Sequence, residues 1–313
     1  MIAAKDPTMP TTDRPVRVAL MSDLHNEFEI AHQQRLEVRA KMGDSSAVAE
    51  ALRLRAELRR EPGHPDRGPD LRQLKAAGPD FLLMPGDIEG GKGSVQYADQ
   101  AATYLRCPVL CTSGNHEAYH RDLPTVVAEL RTAAAATEGR VRFLEMDRAD
   151  LDVGGRRIAV LGATLWTDYV LTGAVGSSIV RATQALNDHH LIRNDDNIFR
   201  PVDALEIHRK TMSWLSVEAP RARSDSDVVI VMTHHAPIPD AIPPKYRGND
   251  LSPAFASDLR SQIKDWRPNL WVWGHTHYST RAELGRTLLV SAQRGYIGVE
   301  SDAERFIPIV VEI

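Results

Sequence analysis

The chain has very little cysteine: Cys107 and Cys111 are the two thiols in 313 residues. Two thiols cannot build a disulfide framework, and their scarcity fits a reducing compartment. Both flank a run that reads as a buried strand, where small apolar packing residues are expected rather than a redox pair. Long apolar runs are missing too. No stretch approaches the ~20 consecutive apolar residues of a membrane-spanning helix. The first fifteen residues carry Pro7, Pro10 and Pro15 but neither the basic start nor the apolar core of a signal peptide. They read as a disordered tail, and the chain as a soluble, cytoplasmic one without a membrane partner. Positive charge is not in excess: 38 Lys and Arg face 42 Asp and Glu, a net of −4. That balance does not favour a long nucleic acid as partner.

What is present is an ordinary globular composition, 42% hydrophobic and 26% charged, which excludes disordered and collagen-like classes. A chain of this length buries about three quarters of its unfolded surface, so it needs no staples. Short apolar runs at 16–21, 81–85, 109–112, 158–162, 228–233, 270–273, 288–291 and 307–311 are nearly continuous in apolar character. That is the pattern of strands covered on both faces. Helical patterns fall between them at 95–105, 124–136, 204–217 and 255–266. The alternation predicts an α/β domain over 16–313 with mainly parallel connections. One segment is out of proportion. Residues 30–78 separate the first two strands by far more than a usual crossover, and read as a helical insertion with an N-cap at Asp44, Ser45 or Ser46. Arg53, Arg55, Arg59 and Arg60 give the insertion a basic end. It is either a lid or arm beside the site or a solvated helical hairpin.

Five strand ends stop at chemistry. They are Ser22-Asp23-Leu24-His25, Pro85-Gly86-Asp87, Gly114-Asn115-His116-Glu117, Thr233-His234-His235 and Gly274-His275-Thr276-His277. In open α/β sheets the carboxyl ends of strands line one crevice, so these groups can converge across the chain. Imidazole, amide and carboxylate donors without thiolate suit Mn, Fe or Zn. An extended backbone through Asp23-Leu24-His25 and His275-Thr276-His277 would send alternate side chains to one face, two donors per motif. Gly86, Gly114 and Gly274 precede candidate ligands where a strand must turn sharply. A lone histidine or Gly-Asp would mean little. The ordered conjunction of all five is the signal.

That order and spacing resembles the calcineurin-like metallophosphoesterase superfamily, from about Val16 to the C-terminus. The resemblance implies a four-layer α/β/β/α sandwich of two packed mixed sheets with a site for two transition-metal ions, divalent or trivalent. It implies that Asp23, His25 and His277 bind one ion, that Asn115, His234 and His275 bind the other, and that Asp87 bridges them. His116 would sit beside the phosphate as the proton donor, its ring oriented by Glu117 or Asp23. The implied reaction is in-line attack of a metal-bridging hydroxide on a small phosphodiester or phosphomonoester. A nuclease and a non-catalytic scaffold on the same fold are the alternatives. Every ligand position carries the expected residue type, which disfavours the scaffold.

The subfamily is narrower. The Ser/Thr phosphatases carry Arg after the bridging Asp in a GDxVDRG run, whereas here Gly86-Asp87-Ile88-Glu89-Gly90-Gly91 has none. The Tyr ligand that purple acid phosphatases place three residues after that Asp is Gly90 here. The pattern is most similar to the bacterial, single-domain, cyclic-nucleotide-phosphodiesterase-like branch. Leu165-Trp166-Thr167-Asp168 and Arg294-Gly295-Tyr296 add to that likeness. Asn26, Glu27, His235, Tyr278 and Arg294 adjoin the motifs and are candidate pocket residues. Arg294 is the anion anchor by type, unless it pairs with a carboxylate. The loop at 237–253 is placed either to cover a substrate or to pack inertly. His189-His190 and Asp195-Asp196 read as a polar loop rather than a further metal site.

Overall fold

The computed structural model describes residues 14–49 and 63–313. The first strands in chain order are β1 (Arg17–Leu20), β2 (Phe81–Pro85), β3 (Val109–Thr112), β4 (Val141–Phe143), β5 (Asp147–Val153) and β6 (Arg156–Ala163). Then come β7 (Arg193–Asn194), β8 (Asn197–Ile198), β9 (Val228–Thr233), β10 (Leu270–Trp273), β11 (Arg281–Leu284), β12 (Thr287–Ser291) and β13 (Ile309–Glu312). The helices are α1 (Asn26–Lys41), α2 (Arg72–Ala77), α3 (Gly93–Leu105), α4 (Leu123–Ala135), α5 (Val175–Ala185), α6 (Asp188–Leu191), α7 (Pro201–Asp225) and α8 (Arg260–Trp266). One sheet runs β13-β1-β2-β3-β4 and the other β11-β12-β10-β9-β6-β5, with β7 and β8 as a separate ribbon. Each large sheet is parallel at its centre, and its antiparallel strands, β13, β11 and β5, lie on the edges.

The apolar strands are buried on both faces, and side-chain alternation divides each run between two layers. Val18, Leu20, Phe81, Leu83 and Leu110 meet Ile158, Val160, Ile230, Met232 and Val272 between the sheets. The alternate residues Ala19, Leu82, Met84 and Cys111 pack against α3 and α4 through Val95, Ala98, Val126 and Leu130. On the far side Leu161, Val229, Val231 and Trp271 pack against Leu215, Ala219 and Ala222 of α7 and Ile263 of α8. The result is the four-layer α/β/β/α sandwich. Cys107 and Cys111 are free and buried. Burial pushes both thiols up, Cys107 to about 12, so neither is reactive near neutral pH.

Departures from the expected elements have local causes. The helix read at 204–217 extends over Pro201–Asp225: Pro201 opens it where no N–H is needed, and the helix passes through Pro220. The pattern read at 255–266 becomes a helix only at Arg260, because Ala236 and Ala256 form a β-bridge ahead of it. β5 and β11 are half-exposed and charged, so they lack the continuous apolar signal of a buried strand.

α1 begins at Asn26, so the long segment between β1 and β2 leaves directly from His25. Asp44 is its second cap, accepting from the backbone N–H of Ser46 and Ala47. The returning chain is anchored where Gly68 N–H donates to Glu29 and Arg67 to Glu89. The arginines at 53, 55, 59 and 60, and the tail up to residue 13, lie outside the described residues. Among the described residues no helix is long and apolar enough to cross a membrane. Leu83 is fully buried between the sheets. Leu83→Ala should lower stability by about 2–5 kcal/mol, read as a lower urea midpoint at unchanged slope.

Candidate metal centre

Asp23, Asp87, Asn115, His234 and His275 lie just beyond the carboxyl ends of β1, β2, β3, β9 and β10, so one edge of both sheets forms the site. The backbone there is contorted. Asp23 (φ 52°), His25 (47°), Asp87 (53°), His275 (72°) and His277 (47°) all adopt the left-handed conformation. This corrects the expectation that the Asp-x-His and His-x-His pairs converge through extended backbone. Each pair turns inward instead, at a cost of order 1–3 kcal/mol per residue. Neighbouring turns hold that strain: Asp23 N–H donates to Gly86 O (3.2 Å) and His25 N–H to Asp87 O (3.1 Å). Gly86 itself has φ +84°, and a Cβ there would lie 2.5 Å from Gly114 N and 2.6 Å from His234 Nδ1.

Two donor clusters result. In the first, His25 Nε2 is 2.9 Å from His277 Nε2, which is 3.6 Å from Asp23 Oδ1. In the second, Asn115 Oδ1 lies 3.1 Å from both His234 Nε2 and His275 Nδ1, themselves 3.2 Å apart. Asp87 stands between them, with Oδ2 at 3.7 Å from His25 Nε2 and Oδ1 at 3.5 Å from His234 Nε2. Ligands at about 2.1 Å around one ion stand roughly 3–3.5 Å apart, close to the 2.9–3.6 Å within the first cluster and the 3.1–3.2 Å within the second.

The outward ring nitrogens of His234 and His277 find acceptors of their own. His234 Nδ1–H donates to Pro85 O (2.8 Å), His277 Nδ1–H to Glu300 Oε1 (2.7 Å), and His25 Nδ1 faces Glu27 Oε1 at 3.5 Å. Acceptors on one nitrogen fix the tautomer and leave the other unprotonated. The inward Nε2 atoms of His25 and His277 lie 2.9 Å apart, close enough to share one ion. Burial, reinforced by neighbouring groups, lowers His25 to about 3 and holds His234 and His275 well below the usual imidazole range. Burial also raises Asp23 to about 6 and Asp87 well above the carboxylate range, with Glu117 and Asp23 adding to the effect on Asp87. His277 goes up, because the Glu300 hydrogen bond and Asp23 outweigh its burial. Imidazoles held neutral at His25, His234 and His275, beside buried carboxylates, are a donor set a metal pair fits.

The calcineurin-like phosphoesterase family model matches residues 16–279. The chain belongs to the calcineurin-like phosphoesterase family. An uncharacterized protein from Acanthamoeba polyphaga mimivirus is 26% identical over 230 residues, 69% of this chain and 78% of that one. Among solved structures, the phosphopantetheinyl hydrolase PptH of Mycobacterium tuberculosis superposes with TM-score 0.58 at 12% identity. It covers 96% of this chain and 97% of its own, a likeness of fold. A dimetal phosphatase from Danio rerio is more distant, at TM-score 0.44 and 10% identity over 92% of this chain and 90% of that one.

Around this family centre the structure corrects several sequence expectations. Glu117 does not orient His116. Its carboxylate accepts from the backbone N–H of Gly114 (2.7 Å), Ile88 (3.0 Å) and Asp87 (3.2 Å), clamping together the turns that carry Asp87 and Asn115. Asp23 does not orient it either, accepting instead from Ser22 Oγ and His275 N. His116 is held by Glu27 Oε1 at Nδ1 (3.2 Å) and by the Tyr296 hydroxyl at Nε2 (3.0 Å). Burial alone would raise Glu27, but the hydrogen bonds from His116 and His25 bring it down to about 2. Arg294, the candidate anion anchor, is buried in an ion pair with Glu29 (2.7 Å) and does not line the cavity over the centre. Nor do Asn26, His235 or Tyr278; His235 is buried between Trp166 and His275.

That cavity, about 450 Å³, opens on Asp87, Asn115, His116, His275 and His277. The loop at 237–253 does contribute to it, through Ile242, Pro243, Tyr246 and Leu251. His189 and Asp195-Asp196 form no donor cluster; His189 bonds Phe199 O, and the aspartates sit in the turn between β7 and β8. The residue beside them that matters was missed. Asp188 accepts from Asn115 Nδ2 (2.8 Å) and from the Tyr119 hydroxyl (2.8 Å), which directs the amide oxygen of Asn115 into the second cluster. Only its neighbourhood to two histidines could have flagged it. Asp188→Ala should weaken metal binding by ~10–100-fold, measured by competition with a chelator. Gly86→Ala should lower metal content outright, because the added methyl collides with His234 and Gly114.

Proposed function

We propose that the chain hydrolyses a small phosphoester with two metal ions. Asp23, His25 and His277 would hold one, Asn115, His234 and His275 the other, and Asp87 both. The observation that carries this reading is Asp87, whose two oxygens face different donor clusters at the floor of one cavity. Nitrogen and oxygen donors without thiolate suit Mn, Fe or Zn. When bound, such a pair lowers the pKa of water and offsets negative charge on the phosphate oxygens.

The chain's own residues do the rest. Glu27, anionic with its carboxyl down at about 2, holds the Nδ1 edge of His116 and orients the ring. Nε2 then faces the Tyr296 hydroxyl and the cavity, placed to pass a proton to the departing oxygen. Tyr119 packs against the His116 ring at 4.2 Å between centroids and limits its rotation. Asn115, steered by Asp188, keeps its oxygen on the donor cluster and so cannot flip its amide towards substrate. The modest volume, about 450 Å³, suits a small ester better than a polymer.

Metal-replete protein should carry about two transition-metal ions per chain by elemental analysis; fewer than one defeats the reading. Asp87→Asn should lose both metals and turnover together. His116→Ala should keep its metal while turnover drops by ~10²–10⁴. Loss of metal in that variant would remove His116 from its role.

A further inference from the structure

We infer that the substrate is a singly charged phosphodiester carrying a flat or apolar substituent, not a doubly charged monoester. This rests on the reading that the centre hydrolyses phosphoesters. Two independent features of the cavity point the same way.

The first is charge. Among the described residues no Lys or Arg lines the cavity, whereas Asp188 and Glu300, both outside the proposed ligand set, do. Cations elsewhere on the chain have partners of their own. Arg294 is paired with Glu29 and Arg121 with Glu129, while Lys245 sits over the ring of Tyr246 at 4.7 Å. A terminal phosphate with a second negative charge would find no side-chain cation in this lining and two carboxylates beside it. Esterifying that oxygen removes the charge.

The second is surface. Phe255 stacks on the proposed ligand His275, with 4.9 Å between ring centroids and 28° between planes. Apolar surface therefore begins at the donor cluster itself, and Leu251, Ile242 and Leu186 add to it in the same cavity lining. A substituent on phosphorus enters apolar contact from its first carbons. A bare phosphoryl oxygen at that position would lose water to apolar atoms without gaining a partner. Hydrolysis then adds one water: an oxygen–phosphorus bond forms, the bond to the leaving oxygen breaks, and that oxygen takes a proton from His116. The products are an alcohol and a monoester. The monoester's second charge now opposes Asp188 and Glu300, which favours its departure.

The test compares three esters with one leaving group on Mn²⁺-loaded protein: p-nitrophenyl phosphate, methyl p-nitrophenyl phosphate and phenyl p-nitrophenyl phosphate. The phenyl diester should exceed the monoester in kcat/KM by at least ~10-fold, with the methyl diester between. Calorimetry with inert anions gives a readout independent of turnover. Diphenylphosphinate, singly charged, should bind ~10-fold or more tightly than either doubly charged phenylphosphonate or dimethylphosphinate. Leu251→Ser, and separately the half-exposed Tyr246→Ala, should shrink the diphenyl-to-dimethyl difference. A monoester turned over faster than both diesters, or phenylphosphonate binding tightest, overturns the inference and leaves phosphoester hydrolysis standing. Wild-type protein that carries two metals per chain but turns over none of the three overturns the underlying reading.

Discussion

The constraint on which the rest depends is a buried excess of lone pairs. Asp23, His25, Asp87 and His234 are essentially without solvent, and their donor atoms crowd together with few hydrogen bonds from the backbone to offset them. Such a cluster is unstable on its own electrostatics, as the raised carboxyls and lowered imidazoles register. The protein accepts further strain to build it, with five of the donor residues in left-handed backbone. Both tensions are relieved by the same thing, positive charge at the centre of each cluster. The surrounding sandwich serves to hold donors where they would not rest unaided.

Glu117 shows how that holding is done. Its sequence position, next to His116, invites a catalytic reading, but its carboxylate is spent on three backbone N–H groups of two different turns. It fixes the bend that carries Asp87 against the bend that carries Asn115. Burial raises it to about 7, while the backbone hydrogen bonds pull the other way. Chemistry and architecture use the same residue types here. Only the partner atoms tell them apart.

That distinction marks where sequence reading ran out. The strands and the convergence of the motif residues were legible, because continuous apolar runs ending at Asp87, Asn115 or His275 leave little choice about which side chains meet, while the four layers came from the family resemblance. The directions of Arg294, Glu27 and Asp188 were not. Each depends on a contact between distant elements: Arg294 with Glu29 on α1, Glu27 with His116 after β3, and Asp188 of α6 with Asn115. Local pattern carries no information about such pairs. Likewise the extended backbone expected at 23–25 and 275–277 is what an isolated Asp-x-His would adopt, and it is overridden by hydrogen bonds to the neighbouring turns.

The spread of the donors along the chain has a further consequence for folding. His25 and His277 touch although 252 positions separate them, and Asp23 and His275 are equally far apart. Neither cluster exists in a partly synthesised chain, since each needs His275 or His277 from near the C-terminal end. Loop closure of that length is slow relative to local contacts. An ion captured at the centre would therefore act as a late bolt, joining the first strand of one sheet to the second sheet after both have formed. Chelation should be felt as loosening between the two sheets before it is felt within either.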